Sequence, residues 1–404
     1  MIITILVFAL ILSLLVFVHE LGHFLMARLF GVRIDEFGMG LPPRLAGWQF
    51  WRAGRPEKIV DGQESRVPAA KKKWRLVWGN REVRPNEPMI YSLNWIPVGG
   101  FVKIKGENGE AAADEDSFGH RRIWQRAMIL AAGVAMNVLL CVGLLALGFM
   151  IGMPTSVGNN HGGRFISAPQ VQIAEVLADS PAAGAGLQAG DIISEVDDAA
   201  IGSGDELKAY LAAKENQPVM VKLDRSGVFL EKEIIIAETD GIIGLGVAIV
   251  DIGIVRYPWY LALREALAVT WFWLATIILA IFGLIKQLFG GPSAGLDFAG
   301  PVGIAVMTGQ AAKLGWIYVL QFAALLSLNL AIINILPFPA LDGGRIMFLA
   351  IEKMRGKAAD SKLENTVHNI GFILLMILIV AITYRDLAKY GAKIMQALGR
   401  LIGW

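Results

Sequence analysis

Two histidines four residues apart, His19 and His23, frame a glutamate in the segment HELGH, directly after residues 2–18, which carry no charge. On a helix of 3.6 residues per turn this spacing puts both imidazoles on one face, so both can reach a single metal ion. Zinc accepts histidine nitrogen and carboxylate oxygen in a tetrahedral site, and a catalytic site keeps one position for water. Glu20, beside the first histidine, can take a proton from that water, whose pKa the metal lowers toward about 7. Ionisable groups at the end of an apolar span are costly unless they have a task. The plain alternative is that they only hydrogen-bond between helices.

A third protein ligand has to come from elsewhere. A local HExxHxxGxxH pattern is absent, because Met26 and Leu29 stand at its last glycine and histidine positions. His120 and His161 lie outside the apolar runs, and His368 lies at the entrance to the last one. The best donor is Asp342 in NILPFPALDGG, residues 334–344. Pro337 and Pro339 break a helix there, and Gly343-Gly344 lets the backbone turn tightly beyond the acid. Irregular backbone at membrane depth is tolerated only where protein or water satisfies it. Asp342 could instead cap the next helix or pair with Arg345.

These residues need elements to hold them, and composition says which. The chain is 55% hydrophobic and 18% charged, below the roughly 25% charge of soluble domains. Apolar runs at 2–18, 127–153, 314–341 and 369–383 predict a polytopic α-helical membrane protein with four transmembrane helices, within 1–30, 122–153, 314–344 and 366–385. The first run has no basic segment before it and no small-residue cleavage site after it, so it reads as a retained span rather than a signal peptide. Lys71, Lys72, Lys73, Arg75, Arg81 and Arg84 make the 31–121 loop cytoplasmic by the positive-inside bias, and the basic stretch 345–365 shares that side. Residues 257–289 are apolar enough to cross, but a crossing would put Asp342 a bilayer away from His19. They are expected to lie along the membrane or dip partly into it. Trp48, Phe50 and Trp51 are expected to anchor the first loop at the interface. A net charge of +2 and the lack of any basic-aromatic module argue against nucleic acid as a partner. The single cysteine, Cys141, excludes an internal disulfide and a cysteine-based zinc site.

Residues 165–250 differ in kind. Short β-like runs at 171–176, 191–196, 219–225 and 231–237 alternate with glycine-bearing turns, and a helix-like DELKAYLAA lies at 205–213. This predicts an inserted α+β domain, and SPAAGAGLQAGDIISEVDD resembles a bacterial PDZ domain. PDZ domains bind extended peptides, often C-termini, by adding a strand to a sheet edge; such a domain can also serve only as a steric filter.

HExxH in the first span, joined to N-x-x-P-x-P-x-L-D-G near the third, resembles the site-2 protease family of intramembrane zinc metalloproteases. The similarity is to the bacterial branch that includes the regulator of sigma-E protease. YSLNWIPVGGFVKIKGE (91–107) resembles that family's membrane-associated β-hairpin, expected at about 89–105. GVAMN (133–137) resembles its G-x-x-x-N signature, and AGPVGIA (299–305) the stretch before its third span. The resemblance implies Zn2+ as cofactor, His19, His23 and Asp342 as its ligands, and Glu20 as general base. It implies substrate contacts at Asn334 and Asn137, although two amides in apolar helices can equally bond each other. It also implies transmembrane proteins as substrates, such as an anti-sigma factor or a remnant signal peptide. The setting would be the bacterial cytoplasmic membrane, with the active site toward the cytoplasm and the PDZ domain outside. A single PDZ domain and a longer insertion at 48–88 depart from the pattern.

A peptide bond inside a helix is shielded, so a protease must hold its target extended. The hairpin offers an edge strand, with Gly99-Gly100 as the turn and Phe101 and Val102 beyond it, to pair with an unwound substrate; it could otherwise only seal the site from lipid. Two other functions compete. A non-catalytic PDZ-bearing scaffold with a structural zinc has no use for Glu20. A metal transporter would want several ionisable residues along a path.

Overall fold

The protein, seen as a computed structural model, is described at residues 2–51, 73–79, 81, 83, 87–109, 113–159, 162–177, 180–225, 227–239, 242–288, 299–357 and 360–402. Lys71, Lys72, Arg84 and His161 lie outside these residues. The chain folds as two units, one of residues 1–141, 270–312 and 322–404, the other of 142–269 and 313–321.

The first unit opens with α1 (Ile2–Leu29), whose 28 residues reach roughly 42 Å at 1.5 Å per residue. Three strands follow, β1 (Ile34–Trp51), β2 (Lys73–Val77) and β3 (Ile90–Ile104), in the order β2-β1-β3. The long strands β1 and β3 bend and meet each other more than once. Residues 36–39 run against 100–103, residues 46–49 run against 90–93, and residues 36–39 also lie beside 90–93 in the same direction. The two arms of the expected hairpin are therefore present but do not pair with each other, because the first part of β1 sits between them. Gly99-Gly100 is not a tight hairpin turn. Gly99 has φ +80°, a left-handed conformation that glycine adopts without strain, and it starts the outer arm, 100–104, which is the sheet's edge. After the sheet, α2 (Ile123–Ile151) runs back antiparallel to α1. Gly22 permits this close approach, since a Cβ there would lie 2.3 Å from the Ala132 carbonyl oxygen.

The second unit holds the α+β domain. Its elements are β4 (Met153–Ser156), β5 (Arg164–Phe165), β6 (Gln170–Val176), α3 (Pro181–Gly184), β7 (Ile192–Val196), β8 (Ala199–Ala200), α4 (Gly204–Ala212), β9 (Pro218–Arg225), β10 (Val228–Ile235), β11 (Ala237–Thr239), β12 (Ile242–Gly244) and β13 (Val247–Arg256). The main sheet runs β10-β9-β7-β6-β13-β4, so the fold extends past the expected 165–250 at both ends. Alternate residues Val171, Ile173, Val219, Val221 and Leu223 bury one face with Leu207 of α4, the period-two pattern of a half-buried sheet. Ser203 caps α4 by accepting the Glu206 N–H at 3.2 Å. The buried Asp191 carboxylate holds Arg225 through two 2.7 Å bonds.

The chain ends in α5 (Trp259–Leu288), α6 (Pro301–Leu314), α7 (Trp316–Ile335), α8 (Asp342–Arg355) and α9 (Ser361–Ile402). Five helices among the described residues are long and apolar enough to cross a bilayer, Trp259–Leu284 being the one beyond the four expected. In the first unit, Gly303 of α6 donates its N–H to the buried Asp386 of α9 at 2.7 Å, and Gly309 packs on Thr4 of α1. At the other end, Gly371 of α9 packs on Pro339, and His368 accepts the Ala340 N–H at 2.9 Å.

Candidate metal centre

His19 and His23 lie in the last three turns of α1, one turn apart, and both are buried. Asp342 reaches them because α7 stops at Ile335 and the chain turns through Pro337 and Pro339 before α8 begins at Asp342 itself. The two glycines after it are needed for close approach. A Cβ at Gly343 would stand 2.3 Å from the carbonyl oxygens of Ile335 and Leu336, and one at Gly344 2.3 Å from that of Phe338. Asp342 makes no capping bond at the start of α8, and Arg345 pairs with Glu107 instead.

The three donor atoms form a compact triangle. His19 Nε2 lies 3.1 Å from His23 Nε2 and 3.0 Å from Asp342 Oδ2, and His23 Nε2 lies 3.4 Å from the same oxygen. Tetrahedral zinc with bonds of about 2.0–2.1 Å separates its ligands by about 3.3 Å, so the donor set fits zinc in type and spacing. Outer hydrogen bonds set the ring tautomers. His23 donates Nδ1–H to the Ile129 carbonyl at 2.8 Å, which leaves the Nε2 lone pair facing the site. His19 Nδ1 lies 3.2 Å from the Asn137 side-chain amide, whose oxygen is buried without a partner as drawn. Amide oxygen and nitrogen are assigned from the hydrogen-bond network. With the amide turned round, its oxygen accepts the His19 Nδ1–H and His19 Nε2 also faces the site as a lone pair. Asn334 reaches His19 Nε2 at 3.5 Å. The two amides thus converge on His19 rather than on each other.

Glu20 lies beside the triangle and accepts the backbone N–H of Val102 at 2.9 Å. The edge strand therefore runs past the candidate base, with Gly100 close to Phe17 and Glu20 and Gly99 close to Val16. Phe101 turns the other way, over Gly38. A groove of about 280 Å³ follows this strand from Phe101 to Asn108 and Arg345. All ten residues singled out for the site lie along this centre or strand. Two contributors escaped the sequence reading. The Ile129 carbonyl carries no side-chain signal. Gly133 was visible only as the first letter of GVAMN; a Cβ there would lie 2.4 Å from His23 Nε2 and 2.7 Å from His19 Cε1. It lets α2 close over the histidines.

Two buried histidines on an apolar helix, met by a half-buried aspartate and with a glutamate beside them, form an arrangement suited to a membrane metallopeptidase. The model of peptidase family M50 matches residues 7–55 and 82–378. The chain belongs to peptidase family M50. It is a membrane protein of the site-2 protease type and a zinc metalloprotease. Similar proteins include zinc metalloprotease RasP of Shouchella clausii, 32% identical over 96% of this chain and 99% of the relative. Another is the regulator of sigma-W protease RasP of Bacillus subtilis, 28% identical over 96% and 98%. About a fifth of the chain also aligns with the solved PDZ domain of an SdrC-like protein from Listeria innocua, 30% identical over 20% of this chain and 92% of that one, with a TM-score of 0.19. Within the M50 chain, residues 56–81 fall outside the family match.

Proposed function

We propose that this M50 peptidase hydrolyses peptide bonds within or beside transmembrane segments, with His19, His23 and Asp342 as zinc ligands and Glu20 as general base. The observation that carries the reading is the 3.0–3.4 Å donor triangle, its histidines on a helix long and apolar enough to span and Asp342 supplied by the turn after another, with a carboxylate beside it. Zinc bound there supplies the Lewis acidity that makes water a nucleophile near neutral pH. Glu20 takes the water's proton and hands it to the leaving amine. Substrate adds as a strand to the 100–104 edge, which unwinds its helix and exposes the carbonyl largely independently of sequence. Gly99 and Gly100 give the backbone room, Phe101 and Val102 supply the pairing strand, Asn334 holds the site side of the substrate, and Asn137, expected from the resemblance to touch substrate as well, orients His19 instead. Because the Val102 N–H already bonds Glu20, an arriving strand and the base share one donor.

Four crossings fit the packing of the first unit. Asp386 lies 15 residues, about 22 Å of helix, beyond Gly371 of α9, so α6 sits at the end of the bundle opposite Asp342, with Thr4. The chain leaves α2 at that end and enters α7 from it. The stretch between therefore crosses an even number of times, and α5 dips beside α2, where Thr270 meets Cys141, without completing a span. A maleimide reaching Lys286→Cys only from the cytoplasmic face would contradict this count. The positive-inside bias puts the metal centre toward the cytoplasm and the PDZ-like domain outside a bacterial cytoplasmic membrane. That domain offers to a peptide C-terminus the part of β13 that β4 leaves unpaired, residues 247–251. One relative is named a regulator of sigma-W protease; a membrane-anchored regulator of a sigma factor is one substrate class, and a remnant signal peptide another.

The test is Glu20→Gln in the full chain, reconstituted with a model transmembrane substrate. Cleavage should vanish while bound zinc stays stoichiometric. Continued cleavage would remove Glu20 from the mechanism.

A further inference from the structure

Strand β2 lies in the segment that the M50 match omits, and it lengthens the sheet outward from α1. Its pairing with β1 places Trp74 beside Phe50 and Leu76 beside Trp48. The same row continues through Tyr91 of β3 to Phe37 of β1. Phe37 is buried against Phe17 and Phe24 of α1, with ring centroids 5.5 and 4.8 Å apart. Three interstrand steps separate Phe37 from Leu76, about 14 Å at the usual strand spacing. The face that is covered by a spanning helix at one side is therefore bare at the other. Phe50 is 60% exposed, Trp74 67% and Trp78 65%.

The opposite face has the reverse character. Gln49, Ile90, Val77 and Ser92 are buried there; Gln49 donates to the Pro88 carbonyl, and Arg44 lies over the sheet in a buried ion pair with Glu36. Arg75 projects from that side and is exposed. A soluble strand would put its aromatic residues inward and its charges outward. Here the inward side is already closed, and tryptophans cover the outer one. Tryptophan is the residue that settles at the headgroup level of a bilayer.

We propose that the Phe50–Trp74–Leu76–Trp78 face docks into the headgroup and upper acyl region of the cytoplasmic leaflet, so that the inserted strand fastens the substrate-pairing sheet to the membrane. The occupant is lipid because the face continues the row that packs on α1. The inference rests on the membrane reading above.

The test is spin-label accessibility in the full chain, carrying Cys141→Ala and one of Leu76→Cys, Arg75→Cys or Leu10→Cys, in vesicles of phosphatidylethanolamine and phosphatidylglycerol. Leu10 of α1 is exposed and mid-span, so it reports lipid independently of the sheet. Residue 76 should collide with oxygen in preference to a nickel chelate, with a ratio severalfold above that at 75 and approaching that at 10. Equal chelate access at 75 and 76, with 10 in lipid, overturns the docking and leaves the membrane reading intact. Shielding of 76 from both reagents also overturns it, since protein would then cover the face. Chelate access at 10 would sink the membrane reading itself.

Discussion

Gly133 has a measurable role, because it stands where α2 passes over both histidines. In Gly133→Ala the added methyl would sit 2.4 Å from His23 Nε2, and 2.7 and 2.8 Å from His19 Cε1 and Nε2. Comfortable contact is about 3.5 Å, so the rings or the helix must yield by about 1 Å. Two energies then oppose each other. Alanine is favoured over glycine inside a helix by about 1 kcal/mol, while overpacking costs about 1–3 kcal/mol. Global stability should therefore change little. The site has no such compensation, since a displacement of about 1 Å in a catalytic constellation costs about 10²-fold in rate. The expected result is weakened zinc retention and about a hundredfold loss of kcat/KM, with a thermal midpoint close to that of the parent. Gly143→Ala is the control: it lies on the same helix, nothing stands within 4 Å of its added methyl, and it should leave cleavage untouched. Full zinc occupancy and unchanged cleavage in Gly133→Ala would refute the idea that this glycine makes room for the ligands.

Asn137→Ala removes the partner of His19 Nδ1, and loss of such an outer bond typically costs about 10–100-fold in metal affinity; competition with a zinc chelator reads it, and an unchanged affinity would assign the amide to substrate or packing instead. In the PDZ-like domain, the Met220 N–H at 2.8 Å holds the Asp197 carboxyl below its ordinary range, with Tyr210 and Lys214 adding to the effect. A folded-state pKa below the unfolded one means that its stabilisation is present above the unfolded value, about 3.9, and lost as pH falls through the lowered folded value. Asp197→Asn should accordingly weaken amide-exchange protection in β9 at pH 7 by up to about 1 kcal/mol. The difference should close toward pH 3; a gap that persists there would mean that the charge is not its source.

The His19–His23–Asp342 donor group was legible because its signals are local. Helical period fixes the relation of His19 to His23, and two prolines and two glycines mark a break at Asp342 whatever surrounds it. The sheet was not legible in the same way. A run such as YSLNWIPVGGFVKI contains two arms and a glycine pair, which is how a hairpin reads. That the arms are parted by residues 36–39 depends on pairing across more than fifty positions, and no turn residue encodes it. The α5 segment shows a different limit. Its composition satisfies the requirement for a span; the expectation that it does not cross came from keeping Asp342 beside His19, and the Gly303–Asp386 contact, which no hydropathy window contains, supports it.

Asn137 and Asn334 carry the point furthest. An amide in an apolar helix must find a partner, and the sequence offered two, the other amide or the substrate. Which one it meets depends on how α2 and α7 are rotated about their axes, a quantity fixed by close approaches such as Gly22 against Ala132 and Gly133 against His23. The α1–α2 contacts turn Asn137 to His19, and Asn334 of α7 reaches the same ring. One consequence follows for Asn137. Its partner Nδ1 is the ring nitrogen that points away from the donor triangle, so on the proposed reading it acts by setting the ring's tautomer. Asn334 faces Nε2 at 3.5 Å, the nitrogen that a metal would occupy, and it therefore has a hydrogen-bonding amide left over once zinc is bound. Of the two, Asn334 is the one with capacity to hold a substrate backbone.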